Sequence, residues 1–190
     1  MPIKNTEFLF KINKNQYHKM HRLCLALLFF CTNLLAETLS GHVIAISDGD
    51  TITVLDRSNQ QYKIRLSGID APEKKQAFGQ RSKEHLSRLV YGKPVEVEWT
   101  KRDKYKRIVG KVLVAEPDCR WEDCPKSLDA GLNQVTVGLA WWYRKYSREQ
   151  SLGDQGRYEI AEAEARADRA GLWTDEEPMA PWEWRHGKNR

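Results

Sequence analysis

Three short strand-like segments, joined by tight turns, occupy residues 43–66 and limit the chain to a β-rich fold. Val43–Ile46 is an apolar run that stops at Ser47-Asp48-Gly49-Asp50, a typical turn sequence. Thr51–Leu55 is rich in β-branched residues, and apolar and polar residues alternate over Tyr62–Ser67, as in a half-buried strand. These residues therefore predict a meander of three strands.

The residues that follow predict one long helix and two more strands. Asp70-Ala71-Pro72-Glu73 has the spacing of a capping box with proline in the first turn, so we expect a helix from there to Val90. Alternation predicts a fourth strand at Val95–Trp99, and a fifth is expected at Ile108–Val114, after a basic connection at residues 101–107. Five short strands with a helix after the third predict an α+β chain that closes into a five-stranded Greek-key β-barrel, the plan of the OB-fold.

The C-terminal third adds shorter elements, for a total of about three helices. A short helix is expected near Gly131–Leu139 and a final one at Gln155–Ala170. The apolar stripe of the final helix is predicted to consist of Ile160, Ala163 and Ala167. The aromatic and basic stretch at residues 141–146 is predicted to be irregular, and the tail at residues 176–190 is predicted to pack only locally.

Residues 1–36 have the composition of a secretory signal peptide. A basic flank ending at Arg22 precedes the apolar run Leu23–Leu35 and the small residue Ala36. This run is shorter than the about 20 apolar residues of a spanning helix. We therefore expect an exported protein, periplasmic or secreted, with a domain at residues 37–175. Two alternatives stay open: the leader is an uncleaved anchor, or translation starts at Met20. The mature form is expected to be a monomer without a membrane span or a stable protein partner.

The net charge of the chain is concentrated in this leader. The formal net charge is +5 at pH 7, but residues 1–36 hold five basic side chains and one acidic side chain, which leaves +1 for the remainder. Overall basicity therefore does not predict tight, salt-sensitive binding along many phosphates. A nucleic-acid function would need a local basic site.

The two cysteines outside the leader, Cys119 and Cys124, lie five residues apart. In an exported protein such a close pair predicts a local disulfide that closes a small loop. The alternative is half of a metal site, but the sequence has no second Cys or His cluster that would supply the other ligands of a structural zinc. We favour the disulfide.

Two acidic clusters and two arginines are the candidates for chemistry. The clusters are Asp48-Gly49-Asp50-Thr51 and Asp70-Ala71-Pro72-Glu73, and each has a structural alternative, as a turn or as a helix cap. Arg65 precedes the second cluster by five residues, and Arg107 begins the fifth strand. Adjacent carboxylates bind hard cations such as Ca²⁺ through oxygen, and arginine forks grip phosphate oxygens bidentately. Together these groups suit the charge of a phosphodiester undergoing hydrolysis.

Three segments, in this order and spacing, resemble the signature segments of the staphylococcal nuclease (thermonuclease) family. They are Asp48–Thr51, Ile64–Glu73 and Asp103–Arg107, and the resemblance extends from about Leu39 to Trp173. It implies a Ca²⁺-dependent endonuclease that cleaves DNA and RNA to products with 3′-phosphate ends. By resemblance, Asp50, Asp70 and the backbone carbonyl of Ala71 hold the calcium, Arg65 and Arg107 bind the phosphate, and Glu73 acts on the attacking water. Asp48 is interpreted as the turn residue that positions Asp50.

The sequence departs from the staphylococcal enzyme at three places. Ala71 replaces a threonine, Lys106 replaces a glycine before the second arginine, and residues 117–126 are an insertion. Substrate contacts beyond the phosphate are expected from Lys104, Tyr105 and Tyr146, because aromatic side chains stack on bases and this group of residues could hold terminal phosphates. Trp141 and Trp142 could also stack, although their alternative is a place in the core.

A second function stays open from the sequence. The chain could be a non-catalytic OB-type module that binds nucleic acid or a protein partner. A member of the family without catalysis is expected to lack one or more of the acidic and arginine positions. All of them are present here, which favours the enzyme.

Overall fold

A computed structural model describes residues 37–120 and 124–187. The predicted leader lies outside these residues. The strands are β1 Glu37–Ile46, β2 Thr51–Leu55, β3 Gln61–Leu66, β4 Ile69–Asp70, β5 Pro94–Arg102, β6 Ile108–Ala115, β7 Lys126–Asp129 and β8 Trp141–Trp142. The helices are α1 Gly79–Val90, α2 Ala130–Thr136, α3 Leu152–Ala167 and α4 Pro181–Gly187, with 3₁₀ turns at Arg144–Glu149 and Gly171–Thr174.

Five of the strands close into a barrel. They are hydrogen-bonded in the order β3-β2-β1-β5-β6, and β3 then pairs in parallel with β6. The predicted α+β fold with a five-stranded OB-type barrel is confirmed. The strand residues that fill its interior are Val43, Ile52, Val54, Ile64, Leu66, Val95, Val97, Ile108, Val112 and Val114, all buried. In β6 the buried residues alternate with partly exposed ones, the period-two pattern of a strand that buries one face.

The first helix begins later than the sequence predicts. It starts at Gly79, and Asp70 instead ends β4, which pairs with β8 so that Asp70 lies opposite Trp141. The capping interpretation of Asp70 was wrong because its carboxylate accepts hydrogen bonds from two arginine side chains. Phe78, in a left-handed conformation with φ 65°, precedes the helix and makes no side-chain cap.

The last long helix, α3, lies about three residues earlier than predicted and buries a different face. Ser151 caps it by accepting the N–H of Asp154 at 3.0 Å. The predicted stripe was wrong: Ile160 is 59% exposed, and the buried side chains of this helix include Tyr158 and Ala161. The buried Tyr158 hydroxyl donates to Asp129, and Ala161 and Ala165 follow Tyr158 at helical spacing on the buried face.

The C-terminal tail packs against the body of the domain, so the prediction of purely local packing was wrong. Gln76 donates its side-chain amide to the carbonyl of Met179 at 2.7 Å, and Ala180 and Pro181 are buried. The tail also forms α4, a fourth helix among the described residues, where about three were predicted. None of the helices in the described part of the chain has the length and apolar character needed to cross a membrane.

The aromatic stretch at residues 141–146 is more regular than predicted. Trp141 and Trp142 form β8, and a 3₁₀ turn begins at Arg144. Both tryptophans are buried, Trp142 in the main core and Trp141 in a second cluster with Trp173. Their place is therefore in the core, the alternative that the sequence left open.

Candidate active site

An open cleft of about 660 Å³ is lined by all the residues predicted for catalysis, cation binding or substrate binding, except Trp141 and Trp142. Its acidic side chains are Asp48, Asp50, Asp70, Glu73, Asp103 and Glu149, and its basic side chains are Arg65, Lys101, Arg102, Lys104, Arg107 and Arg185. Ala71, Tyr105, Tyr143 and Tyr146 also line it. The charges are segregated: most of the acids belong to residues 48–73 and most of the bases to residues 101–107. The cleft thus has an acidic end and a basic end.

Asp50 and Arg65 meet because paired strands start and end beside each other. Asp50 directly precedes β2, and β2 pairs with β3 so that Thr51 lies opposite Arg65. Nη1 of Arg65 lies 2.6 Å from Oδ2 of Asp50. Asp48 accepts the backbone N–H of Asp50 at 3.1 Å, so it forms the turn as predicted. Asp50 also accepts the hydroxyl of Thr51 and the N–H of Ala71.

Asp70 reaches the same arginine through the tight connection between β3 and β4. Gly68 turns the chain there with φ 76°, a left-handed conformation that suits glycine. Nη2 of Arg65 lies 3.1 Å from Oδ1 of Asp70 and donates to the carbonyl of Ile69 at 3.2 Å. Asp50 and Asp70 are only 5% and 1% exposed. Arg65 therefore serves as the charge partner of two buried carboxylates.

Burial at the acidic end of the cleft disfavours the negative charges of its carboxylates. Burial, followed by the charge of Asp50, raises the pKa of Asp48 to about 6. Burial also raises the pKa of Asp70, although hydrogen bonds from Arg185 oppose the rise. Burial disfavours the charge on Arg65, but Asp50 and Asp70 outweigh it and raise the pKa of the guanidinium. This end of the cleft would therefore be stabilised by additional positive charge.

Arg107 is held at the basic end by a turn that Asp103 organises. Asp103 accepts the backbone N–H groups of Tyr105 and Arg107 at 2.9 and 3.0 Å and the Nε–H of Arg107 at 2.7 Å. Lys106 completes the turn in a left-handed conformation with φ 64°. Nη1 of Arg107 approaches the hydroxyl of Thr51 at 3.5 Å, which directs this arginine toward the acidic end.

A third arginine enters the cleft from the C-terminal helix. Nη1 and Nη2 of Arg185 lie 3.2 and 2.7 Å from the two carboxylate oxygens of Asp70, and Nη1 also donates to Oε1 of Glu73 at 2.8 Å. Sequence reasoning missed this residue because it lies 115 positions from Asp70, in a tail with no recognised motif. The tryptophans of the tail were the one available indication, because large apolar side chains favour packing against the domain over exposure to solvent.

Gln134 supports the acidic turn from behind and was also missed. This fully buried side chain donates its amide to the carbonyls of Gly49 at 2.8 Å and Ser82 at 3.0 Å. Its Oε1 lies 2.6 Å from Nδ1 of His85. A Cβ on Gly49 would lie 1.9 Å from the Ser82 hydroxyl oxygen, so the turn packs directly on α1. The position of Asp50 is thus fixed by contacts from two helices.

Comparison with known proteins agrees with this arrangement. The model of the family described as staphylococcal nuclease homologue matches residues 63–175 of the chain. The chain belongs to the staphylococcal nuclease family.

Relatives in this family include several named nucleases. The chain is 38% identical over 164 residues to an uncharacterized endonuclease of Escherichia coli, covering 86% of this chain and 96% of that protein. It is 38% identical over 153 residues to a micrococcal nuclease of Shigella flexneri, covering 76% and 79%. It is 34% identical over 129 residues to a staphylococcal-like nuclease of Arabidopsis thaliana, covering 68% and 35%.

The residues predicted to bind substrate lie around the basic end of the cleft. Tyr105 is 68% exposed, and the ammonium of Lys104 lies 5.0 Å from its ring centroid. Tyr146 is 44% exposed, and Lys101 lies 5.5 Å from the centre of its ring. Tyr143 packs edge-on against Tyr146. Exposed rings flanked by cations suit nucleotide bases and their phosphates.

The calcium ligands implied by the staphylococcal nuclease family lie at the acidic end of the cleft, where their chemistry can be compared with the needs of the ion. Within residues 37–120 and 124–187, no three His, Cys, Asp or Glu side chains converge in a metal-binding cluster. The implied set is smaller: two buried carboxylates, Asp50 and Asp70, and the carbonyl of Ala71. All three are oxygen donors, which suit a hard cation that completes its shell of six to eight ligands with water. The chemistry of the residues therefore fits calcium.

The departures from the staphylococcal enzyme are tolerated locally. Lys106 takes the left-handed conformation that a glycine would adopt with less strain. Ala71 lies in the cleft wall, with its N–H bonded to Asp50 at 3.2 Å. Within the inserted segment, Cys119 and Cys124 form a disulfide, and neither residue lines the cleft.

Proposed function

We propose that this protein is an exported, Ca²⁺-dependent endonuclease that hydrolyses phosphodiester bonds of DNA and RNA and leaves 3′-phosphate ends. The observation that carries the proposal is the convergence in one cleft of two buried aspartates, two arginines on barrel strands or at their ends, and the carboxylate of Glu73. The nuclease names of its relatives support the same class of reaction.

The acidic end would hold the cation. Asp50, Asp70 and the carbonyl of Ala71 are the proposed ligands, and the bound ion would supply positive charge against the phosphate oxygens. The raised pKa of Asp70 supports this role, because a buried carboxylate gains from a nearby cation. Arg65 bridges the two aspartates and would bind the phosphate beside them.

The bond-breaking step would use groups from both ends of the cleft. The oxygen of a water molecule attacks phosphorus, Glu73 accepts or orients its proton, and the bond from phosphorus to the 5′ oxygen breaks. The water thereby leaves a hydroxyl on the 3′-phosphate and a proton on the 5′ oxygen. Arg65 and Arg107 would stabilise the negative charge that grows on the phosphate oxygens, because their guanidinium groups stay charged at any working pH.

Export is supported by the leader and by the cysteines. Residues 19–36 have the basic, apolar and small-residue order of a signal peptide. The disulfide between Cys119 and Cys124 is of the kind that persists in oxidising compartments. We propose that the mature protein acts as a monomer in the periplasm or after secretion. N-terminal sequencing of protein recovered from the periplasm and the medium tests the proposed export. Full-length protein retained in the cytoplasm would refute it.

Digestion of single-stranded DNA by the purified protein tests the reaction. We expect cleavage with Ca²⁺, none with a chelator, and products that accept a 5′ label without prior phosphatase treatment because they carry a 5′ hydroxyl. Glu73→Gln should reduce turnover strongly, whereas Glu84→Gln, an exposed acid on α1 outside the cleft, should not. A folded protein that does not cleave with any divalent cation would indicate the non-catalytic binding module instead.

A further inference from the structure

Arg185 is the one residue of the C-terminal helix α4 that lines the cleft among the described residues. Its guanidinium spans both carboxylate oxygens of Asp70, with Nη1 3.2 Å from Oδ1 and Nη2 2.7 Å from Oδ2, and Nη1 also binds Glu73 at 2.8 Å. This is a bidentate arginine–carboxylate pair, the stronger and more directional kind of ion pair. The hydrogen bonds to Asp70, followed by the one to Glu73, raise the pKa of Arg185 despite partial burial.

The anchoring of the tail does not depend on this ion pair. Trp182 stacks on Tyr143 with ring centroids 5.3 Å apart and an interplanar angle of 11°, and it meets Trp141 edge-on at 5.5 Å. Ala180 is buried, and Gln76 holds the carbonyl of Met179. The side chain of Arg185 is itself 42% exposed. It can therefore leave Asp70 by rotating about its own side-chain bonds while α4 stays docked.

We propose that Arg185 is a tethered counter-ion that competes with the divalent cation for Asp70 and so sets the cation affinity of the site. This inference rests on the proposed function for the assignment of Asp70 as a cation ligand. Arg185 is thus a determinant of metal affinity that acts through Asp70, and it is not assigned a contact with the substrate.

Arg185 and a cation would compete because both bind the same oxygen lone pairs and the same negative charge of the Asp70 carboxylate. Asp70 accepts two hydrogen bonds from Arg185 and a third from Arg65, so a cation would have to displace some of these donors. Arg185 is the exchangeable one, since the side chain of Arg65 is only 18% exposed and also holds Asp50. The docked helix keeps Arg185 at a high effective concentration near Asp70. Cation binding should in turn free Arg185 and the carboxylate of Glu73, because coupling between two sites is reciprocal.

Isothermal titration of the full-length protein with CaCl₂ tests the competition directly. Arg185→Gln should lower the Kd for Ca²⁺ by about five- to tenfold, at the lower end of typical couplings because the pair is partly exposed. Arg185→Lys, which keeps the charge but loses the fork, should give an intermediate value. Arg157→Gln is the matched control, because it removes the same charge from an arginine that pairs with Asp154 outside the cleft. It should leave the Kd within about twofold of wild type.

A gain in affinity cannot come from a damaged fold, so the sign of the effect is decisive. Equal or weaker Ca²⁺ binding by Arg185→Gln, with a measurable wild-type Kd, would overturn the inference and leave the proposed function standing. Absence of Ca²⁺ binding in both proteins would overturn the inference together with the calcium assignment. In the wild type, the Nε–H NMR signal of Arg185, assigned by its loss in Arg185→Lys, should shift as Ca²⁺ is added. An unchanged signal at saturation would contradict release.

Discussion

The raised pKa of Asp48 makes a specific prediction about stability. Asp48 lines the cleft beside the buried Asp50, and burial followed by the charge of Asp50 raises the pKa of Asp48 from the ordinary 3.8 to about 6. Asparagine at position 48 removes the charge but keeps an oxygen that can accept the N–H of Asp50, which Asp48 accepts at 3.1 Å. Asp48→Asn should therefore preserve the turn, and it should remove the buried charge and its repulsion with the carboxylate of Asp50.

The sign and size of the effect follow from proton linkage. Between pH 3.8 and about 6 the folded protein binds more protons at Asp48 than the unfolded chain does, so stability falls as the pH rises through this window. Raising the pKa from 3.8 to about 6 corresponds to about 3 kcal/mol, and partial solvent exposure reduces this to about 1–2 kcal/mol. Asp48→Asn should thus be more stable than wild type by about 1–2 kcal/mol at pH 7.5, and by much less at pH 4.

Urea unfolding in the presence of a chelator, at pH 4 and pH 7.5, measures this difference. The chelator is needed because a bound cation would offset the charge of the carboxylates. Asp118→Asn, at an exposed position, is the control for loss of one negative charge and should show no comparable dependence on pH. If Asp48→Asn were less stable than wild type at pH 7.5, or if its advantage were equal at both pH values, the electrostatic reasoning would be refuted.

Three further predictions concern the support of the site and its chemistry. Gln134→Leu leaves the buried carbonyls of Gly49 and Ser82 without this donor, and should lower the free energy of unfolding by about 2–4 kcal/mol in urea titrations. Arg65→Lys cannot reproduce the fork, so kcat/KM for a DNA oligonucleotide should fall by about 100-fold or more, whereas Arg157→Lys should match wild type. Replacing both Cys119 and Cys124 by serine should cost about 2 kcal/mol of stability and leave kcat/KM unchanged, because the disulfide lies outside the cleft. A normal kcat/KM in Arg65→Lys, or its loss in the cysteine variant, would contradict these assignments.

The barrel could be predicted from the sequence because its signals are local. An apolar run, β-branched residues or alternation identifies each strand, and the turn at Asp48-Gly49 identifies the connection between the first two. Pairing of β2 with β3 then places Thr51 opposite Arg65, which brings Asp50 and Arg65 together without further information. The part of the site that depends on neighbouring strands was therefore accessible to sequence reasoning.

The parts that were missed depend on contacts between distant segments. Gln134 reaches Gly49 from 85 residues away, and Arg185 reaches Asp70 from 115 residues away. Neither residue belongs to a periodic pattern, since a buried glutamine breaks an apolar stripe and a basic residue near a chain end suggests solvation. The mistaken apolar stripe on α3 has a different cause: helical spacing fits the face of Tyr158, Ala161 and Ala165 as well as the predicted one, and this other face is the one that is buried.

Asp70 is the residue at which the local and the long-range information disagree. Its spacing to Glu73 fits a capping box, yet the structure uses both side chains otherwise: each binds Arg185, and Asp70 binds Arg65 as well. The helix then starts at Gly79 without a side-chain cap, which forgoes a contribution of about 1 kcal/mol. A fold that leaves a good local signal unused and buries the carboxylate instead is typical of a functional site. The failed helix prediction thus points to the same residue at which the cation and Arg185 are proposed to compete.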